Sequence, residues 1–160
     1  MVAKLTVRIY GFLIDKERGL LVSDEYIRGQ YFTKLPGGGL ELGEGTRDCL
    51  EREFLEETGV AVTVGDHIYT TDYFQPSVFQ ENQQFMGIYY FVHAKDAAQF
   101  KTYSKPFDFT PQQIEDPEGE AESLRWIPYS QMAAELFQLP TDKIAMTMVL
   151  KILSNRHNIR

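Results

Sequence analysis

GGLELGEGTRDCLEREFLEETGV, residues Gly38 to Val60, is the stretch whose reading decides the fold. A glycine-rich turn leads into a short segment of helical character. Thr46 is its expected N-cap, and Gly59 is the residue type expected just past a helix end. At about 100° per residue, Glu53, Glu56 and Glu57 share one arc, because positions i, i+3 and i+4 are neighbours on a helix surface. Three carboxylates crowded there repel one another unless positive charge sits among them. Arg52, four residues before Glu56, offsets part of that repulsion. A hard divalent cation bound by oxygen ligands offsets more.

The competing reading of such a run is a solvated acidic face. Two features argue against it. Cys49, Leu50 and Phe54 border or share the carboxylate arc, so this side is expected to lie against the protein body at a cleft. In the preceding LPGGGLELGEG, Gly37, Gly38 and Gly39 permit positive φ and close backbone approach to a ligand. Glu44 on that loop joins the helical carboxylates, and the whole reads as a metal site. Cys49 reads as a small packing residue.

Gly38, Glu44, Arg52-Glu53-Phe54, Glu56-Glu57 and Gly59-Val60 have the spacing of the Nudix box and match it without a departure. The chain therefore resembles the Nudix hydrolases over its middle section. The resemblance implies a mixed α/β (α+β) fold, an α/β/α sandwich about a mixed central β-sheet. It also implies Mg²⁺- or Mn²⁺-dependent hydrolysis of a nucleoside diphosphate linked to another group. By the family's pattern Glu53, Glu56 and Glu57 hold metal, with Glu44 and Gly38 in the same set, and Arg52 orients the carboxylates. The family often takes one further carboxylate from outside the box, shortly before a Trp-containing strand. Glu120, six residues before Trp126, resembles that position, with Glu118 and Glu122 as competitors. The general base is then Glu57, Glu53 or Glu120.

Composition agrees with one compact enzyme. The 160 residues suffice for a single domain, 1–160, with a real core. A hydrophobic fraction of 43% and a charged fraction of 24% are those of an ordinary globular chain. The net charge of −7 argues against a nucleic-acid polymer as partner, since no excess of Lys and Arg exists to neutralise a phosphate backbone. It leaves room for a small anionic nucleotide, because bound metal reverses the local sign. One cysteine makes no internal disulfide, and the N-terminus has neither a long apolar run nor a small-residue cleavage site. The expectation is a cytoplasmic protein with no membrane span.

Along the chain, Lys4–Ile14 reads as a strand, Asp15–Gly19 as a turn and Leu20–Tyr26 as a second strand. Arg28–Lys34 is short, polar and aromatic. Alternation returns at Val60–Val64 and in part of Ile68–Tyr73, and Gln84–His93 is apolar enough for a central strand. Ala94–Ser123 reads as an irregular, partly acidic loop of the length that binding loops have. Leu124–Pro128 reads as a strand; Tyr129–Phe137 and Thr141–Asn155 read as helices. Ile144, Met148 and Ile152 form one stripe of the last, suited to core or subunit contact.

Substrate contacts are expected from Gly37, Gly39, Arg28, Tyr73 and Phe74, the aromatics offering stacking surfaces for a base. Pro76, sixteen residues after Val60, resembles a proline of the ADP-ribose-cleaving branch. The expected activity is thus hydrolysis of ADP-ribose or a related ADP-sugar. A (d)NTP pyrophosphohydrolase of the sanitising type is the alternative, and a non-catalytic nucleotide sensor is the alternative of another class. ADP-sugar hydrolases of the family are often homodimers, but the additional N-terminal strands expected of the swapped type are missing from this sequence, so the resemblance does not decide between monomer and homodimer.

Overall fold

The computed structural model describes residues 1–158. Its strands are β1 (Lys4–Asp15), β2 (Gly19–Ile27), β3 (Gln30–Lys34), β4 (Gly37–Gly39), β5 (Thr63–Thr70), β6 (Gln75–Pro76), β7 (Gln83–His93) and β8 (Glu120–Ile127). Two helices, α1 (Thr46–Thr58) and α2 (Pro140–Asn158), complete it. All eight strands form one hydrogen-bonded network, with the order β3-β2-β1-β7-β5 along its main path. β1 runs parallel to β7 from Lys4↔Gln83 to Leu13↔Val92 and antiparallel to β4. β2 carries β3 on one edge and β8 on the other, both antiparallel, and meets β1 only at the hairpin.

The alternation of β1 and β7 explains why a helix covers each face. Ile9, Leu13, Tyr90 and Val92 face Cys49, Leu50 and Phe54 of α1. Tyr10, Phe12, Tyr89 and Phe91 face Ala145, Met146 and Val149 of α2. A strand buried on both faces reads as a nearly continuous apolar run, which is why FMGIYYFVH looks central. The layers are helix, sheet, helix.

Several elements differ from the sequence reading. The N-cap is Gly45, whose carbonyl accepts from Cys49 N–H at 2.9 Å and whose N–H donates to Asp48 at 3.2 Å. Thr46 is the first helical residue, and its hydroxyl pairs with that of Tyr90 at 2.7 Å. β5 starts at Thr63, because Val60 is buried under the end of α1 instead of pairing with a strand. Tyr129–Phe137 is two 3₁₀ turns, Tyr129–Gln131 and Ala134–Leu136, broken at the extended Ala133. Met132 and Phe137 are thereby both turned into the core. Part of the expected 94–123 loop is strand, since β8 begins at Glu120 and pairs with β2 along its whole length. In α2, Ala145, Met146 and Val149 are the fully buried apolar residues. Ile144, Met148 and Ile152 are half-buried and pack around them.

Arg28 and Gly29 both have positive φ (48° and 81°), as a two-residue hairpin turn between β2 and β3 requires. The segment after β7 is strapped down by Asp24 on β2, which is fully buried. Its carboxylate accepts from Arg125 Nε at 2.7 Å and Nη2 at 2.9 Å, from Thr33 Oγ1 at 2.9 Å, and from the Phe107 N–H at 3.2 Å. Phe107 and Phe109 then pack against Tyr31. Among the described residues no helix is long and apolar enough to cross a membrane.

Candidate active site

The box loop is positioned by backbone pairing before any side chain acts. β4 lies against β1 with Gly37↔Tyr10, Gly38↔Ile9 and Gly39↔Arg8. Gly37 has φ +152°, and a Cβ there would stand 2.0 Å from the Ile9 carbonyl oxygen. A Cβ at Gly38 would stand 2.1 Å from Cδ of Glu53, so the missing side chain is the space the Glu53 carboxylate occupies. Gly38→Ala is therefore expected to displace that carboxylate. A shift of about 1 Å at a reacting group costs on the order of 10²-fold in rate. The measurement is kcat/KM beside a thermal melt; an unchanged rate would show that the seat of Glu53 is irrelevant.

Arg52 is the hub of the cluster. Its Nε and Nη2 donate to Glu44 at 2.9 and 2.7 Å, its Nη1 to Glu53 at 2.9 Å and Glu56 at 3.2 Å, and Nη2 also to the Gly39 carbonyl at 3.1 Å. This guanidinium, with the Glu41 N–H, holds the Glu44 carboxyl down at about 2. Glu57 is treated differently. Desolvation of its carboxylate, followed by the charges of Glu122, Glu53 and Glu25, pushes it up to about 9, although the residue as a whole is exposed. Among the described residues no Lys or Arg lies within ion-pair distance of Glu57. The cluster thus has a neutralised side at Glu44 and an uncompensated side at Glu57.

Glu122 and Glu25 face each other across the β8–β2 pair, and Glu122 is also raised by desolvation and by Glu25 and Glu53. Glu120, two residues earlier on the same face of β8, is opposite Ile27, farther along the strand. The competitor Glu122, not Glu120, is the β8 residue whose charge acts most on Glu57. Glu118 lies outside the strand, in the turn before it. Among the described residues no three His, Cys, Asp or Glu side chains stand close enough together to hold a metal ion as they are. Arg52 spreads Glu44, Glu53 and Glu56 around its own nitrogens instead. The donor set nonetheless fits a hard divalent cation, being carboxylate oxygens with excess negative charge beside Glu57. The buried Cys49 thiol is pushed up to about 12, first by desolvation and then by Glu44.

A cavity of about 260 Å³ lies along β1 and β2, and none of Glu44, Arg52, Glu53, Glu56 or Glu57 is in its lining. Glu25 and Glu120 stand in its wall, with Arg8, Lys34, Pro76 and Phe79. Arg28 lines it and donates to the Phe79 carbonyl at 3.3 Å. Gly37 and Gly39 are occupied in the β1 pairing and lie outside its lining. Tyr73 and Phe74 are exposed on the segment entering β6 and are not part of it. The aromatic walls come from Tyr10, Phe79 and Phe85. Glu25, Lys34, Arg8 and Asp142 escaped the sequence reading, since no motif or spacing marks them.

Asp142, fully buried in the first turn of α2, accepts from Tyr89 Oη at 2.6 Å, while its second oxygen has no partner among the described residues. Burial raises it from 3.8 to about 6. A carboxyl raised in the folded state contributes stability below pH 4 that is lost as pH rises towards 6. At 1.36 kcal/mol per unit the loss is about 3 kcal/mol. Asp142→Asn is expected to flatten urea-denaturation stability between pH 4 and 6; a slope identical to that of the parent protein would show that another group causes it.

Comparison with known proteins agrees with this geometry. The family model described as the NUDIX domain matches residues 4–148. The chain belongs to the NUDIX family. As a Nudix member it is a hydrolase of phosphoanhydride bonds, from a family that acts on small-molecule nucleotide substrates and generally uses divalent metals. Its fold is similar to a MutT protein from Methanosarcina mazei (TM-score 0.61, 16% identity, covering 100% of this chain and 99% of that one). It is also similar to a NUDIX hydrolase from Nitrosomonas europaea (TM-score 0.58, 17% identity, 91% and 88% covered). A third likeness is to a UDP-X diphosphatase (TM-score 0.59, 18% identity, 100% and 66% covered). No curated protein matches the chain in sequence.

Proposed function

We propose that this Nudix domain, taken as the whole of residues 1–160, is a Mg²⁺- or Mn²⁺-dependent pyrophosphohydrolase. Its substrate is a nucleoside diphosphate linked to another group, with ADP-ribose or a related ADP-sugar first in line. One observation carries the reading: Glu25 both lines the cavity and acts electrostatically on Glu57, so a nucleoside held in the cavity would leave its phosphates to reach out of it towards the carboxylate cluster. Pro76 in the cavity wall supports the ADP-sugar choice. The full-length likeness to a MutT protein keeps (d)NTPs as the second reading.

Glu53, Glu56 and Glu57, with Glu44 and the Gly38 backbone, would hold the metal. When bound, it supplies charge neutralisation at the phosphate oxygens and a more acidic water. Arg52 keeps Glu44 ionised and fixes the directions of the Glu44 and Glu53 carboxylates. Glu57 takes the proton of the attacking water, with Glu53 and Glu120 as the other candidates and Glu122 added by its position. Cytoplasmic location belongs to the same proposal.

A substrate panel with Mg²⁺ tests it. ADP-ribose and UDP-glucose are followed by phosphate release through alkaline phosphatase, and dNTPs through inorganic pyrophosphatase. AMP and ribose 5-phosphate from ADP-ribose uphold the first reading, and pyrophosphate from dNTPs alone replaces it with the second. Silence throughout removes both.

A further inference from the structure

Lys34 ends β3 with a side chain only 4% exposed. An ammonium carries three donors, and a buried charge is unfavourable unless those donors find acceptors. The nearest carboxylate oxygen, Glu25 Oε1, lies 3.7 Å away, beyond hydrogen-bond length. The other close neighbours of Nζ are ring faces, Tyr10 at 5.6 Å and Phe79 at 5.4 Å. Burial lowers its pKa, yet neighbours that include the Glu25 and Asp142 carboxyls outweigh this and raise it above the usual lysine value. The neighbouring Arg8 is already committed, its Nε donating to Tyr10 Oη at 2.9 Å. Lys34 is thus a protonated donor group facing the cavity with no hydrogen bond of its own among the described residues.

The walls beside it limit what it receives. Phe79 and Pro76 present flat apolar surfaces suited to a heteroaromatic ring. Glu25 and Glu120 line the same space, and their charge disfavours a phosphate there while tolerating a neutral acceptor. We propose that Lys34 is a specificity-determining residue whose ammonium donates to an unprotonated acceptor of the substrate's nucleobase. That acceptor is a ring nitrogen of adenine or a carbonyl oxygen of guanine or uracil. The inference rests on the reading above only in placing the nucleoside in this cavity; it uses neither the metal nor the attacking water.

The test uses the full chain with Lys34→Met, and with Lys34→Gln, which retains an N–H donor. Binding of AMP, GMP, UMP and ribose 5-phosphate is titrated by calorimetry without metal, and kcat and KM are measured for ADP-ribose, GDP-mannose and UDP-glucose with Mg²⁺. A thermal melt accompanies each variant. Lys34→Met is expected to weaken the preferred mononucleotide about 10- to 100-fold, the range of a lost charge-assisted hydrogen bond. Ribose 5-phosphate should bind as before. KM should rise by the same factor with kcat retained, differences among the three bases should shrink, and Lys34→Gln should recover part of the loss. Collapse of an adenine preference identifies a ring nitrogen, and collapse of a guanine or uracil preference identifies a carbonyl. Equal weakening of ribose 5-phosphate, unchanged binding in Lys34→Met, or no mononucleotide bound by the parent protein overturns the proposal. Mononucleotide binding without turnover removes only the hydrolase reading. If Lys34→Met does not fold, the same comparison is made with Lys34→Gln alone.

Discussion

Glu57→Gln is expected to lower kcat by about 10²–10⁴-fold, the range contributed by a positioned general base. The amide has nearly the shape of the carboxylate and cannot accept the proton of a water. The fold should survive, because Glu57 lies outside the buried set of α1, which is Cys49, Leu50 and Phe54. Removing one of several mutually repelling carboxylates should leave the melting temperature unchanged or raised. Glu53→Gln makes the contrast. Glu53 is an anchor of Arg52 and sits in the space above Gly38, so its loss should disturb the loop as well as the rate. A Glu57→Gln enzyme with near-parental, Mg²⁺-dependent turnover would move the base elsewhere, and Glu122 would be the next residue to replace.

The largest stability effect is expected at Asp24. Asp24→Ala removes the acceptor of Arg125, Thr33 and the Phe107 N–H together, and it leaves the Arg125 guanidinium unpaired with its side chain 14% exposed. Breaking a buried pair by deleting one partner costs about 3–5 kcal/mol. In a domain of this size that corresponds to a fall in melting temperature of roughly 6–20 °C. Replacing both Asp24 and Arg125 with Ala should cost less than the sum of the single losses, because neither charge is then stranded. A change below about 3 °C in Asp24→Ala would show that the segment around Phe107 is held by Tyr31 and its aromatic neighbours instead.

Local chemistry made much of this molecule legible in one dimension. α1 announced itself through its carboxylate arc and the stop at Gly59, because helical neighbours are a matter of spacing alone. The strands around Ile9 and Tyr89 were visible because both faces of a central strand must be apolar. Thr46 misled because a threonine before an amphipathic run usually caps it, whereas here Tyr90 takes the hydroxyl. Tyr129–Phe137 misled because its apolar spacing suits a helix, whereas the core is filled by two short turns around Ala133.

The sequence by itself determined the family, the sandwich of layers and the crowding of Glu53, Glu56 and Glu57 onto one helical arc. The helical arc follows from contacts between residues near in the chain, whose geometry is set by backbone period; the family and its layers follow from the resemblance of the Gly38–Val60 spacing to the Nudix box. Only the tertiary structure decided which distant charges join them. The register of β8 against β2 sets Glu122 opposite Glu25 and leaves Glu120 opposite Ile27. The closure of β3 beside Tyr10 and Phe79 buries Lys34 against the same cavity. Strand register and sheet closure are sums over many weak long-range contacts, and no single residue in the chain carries their signature.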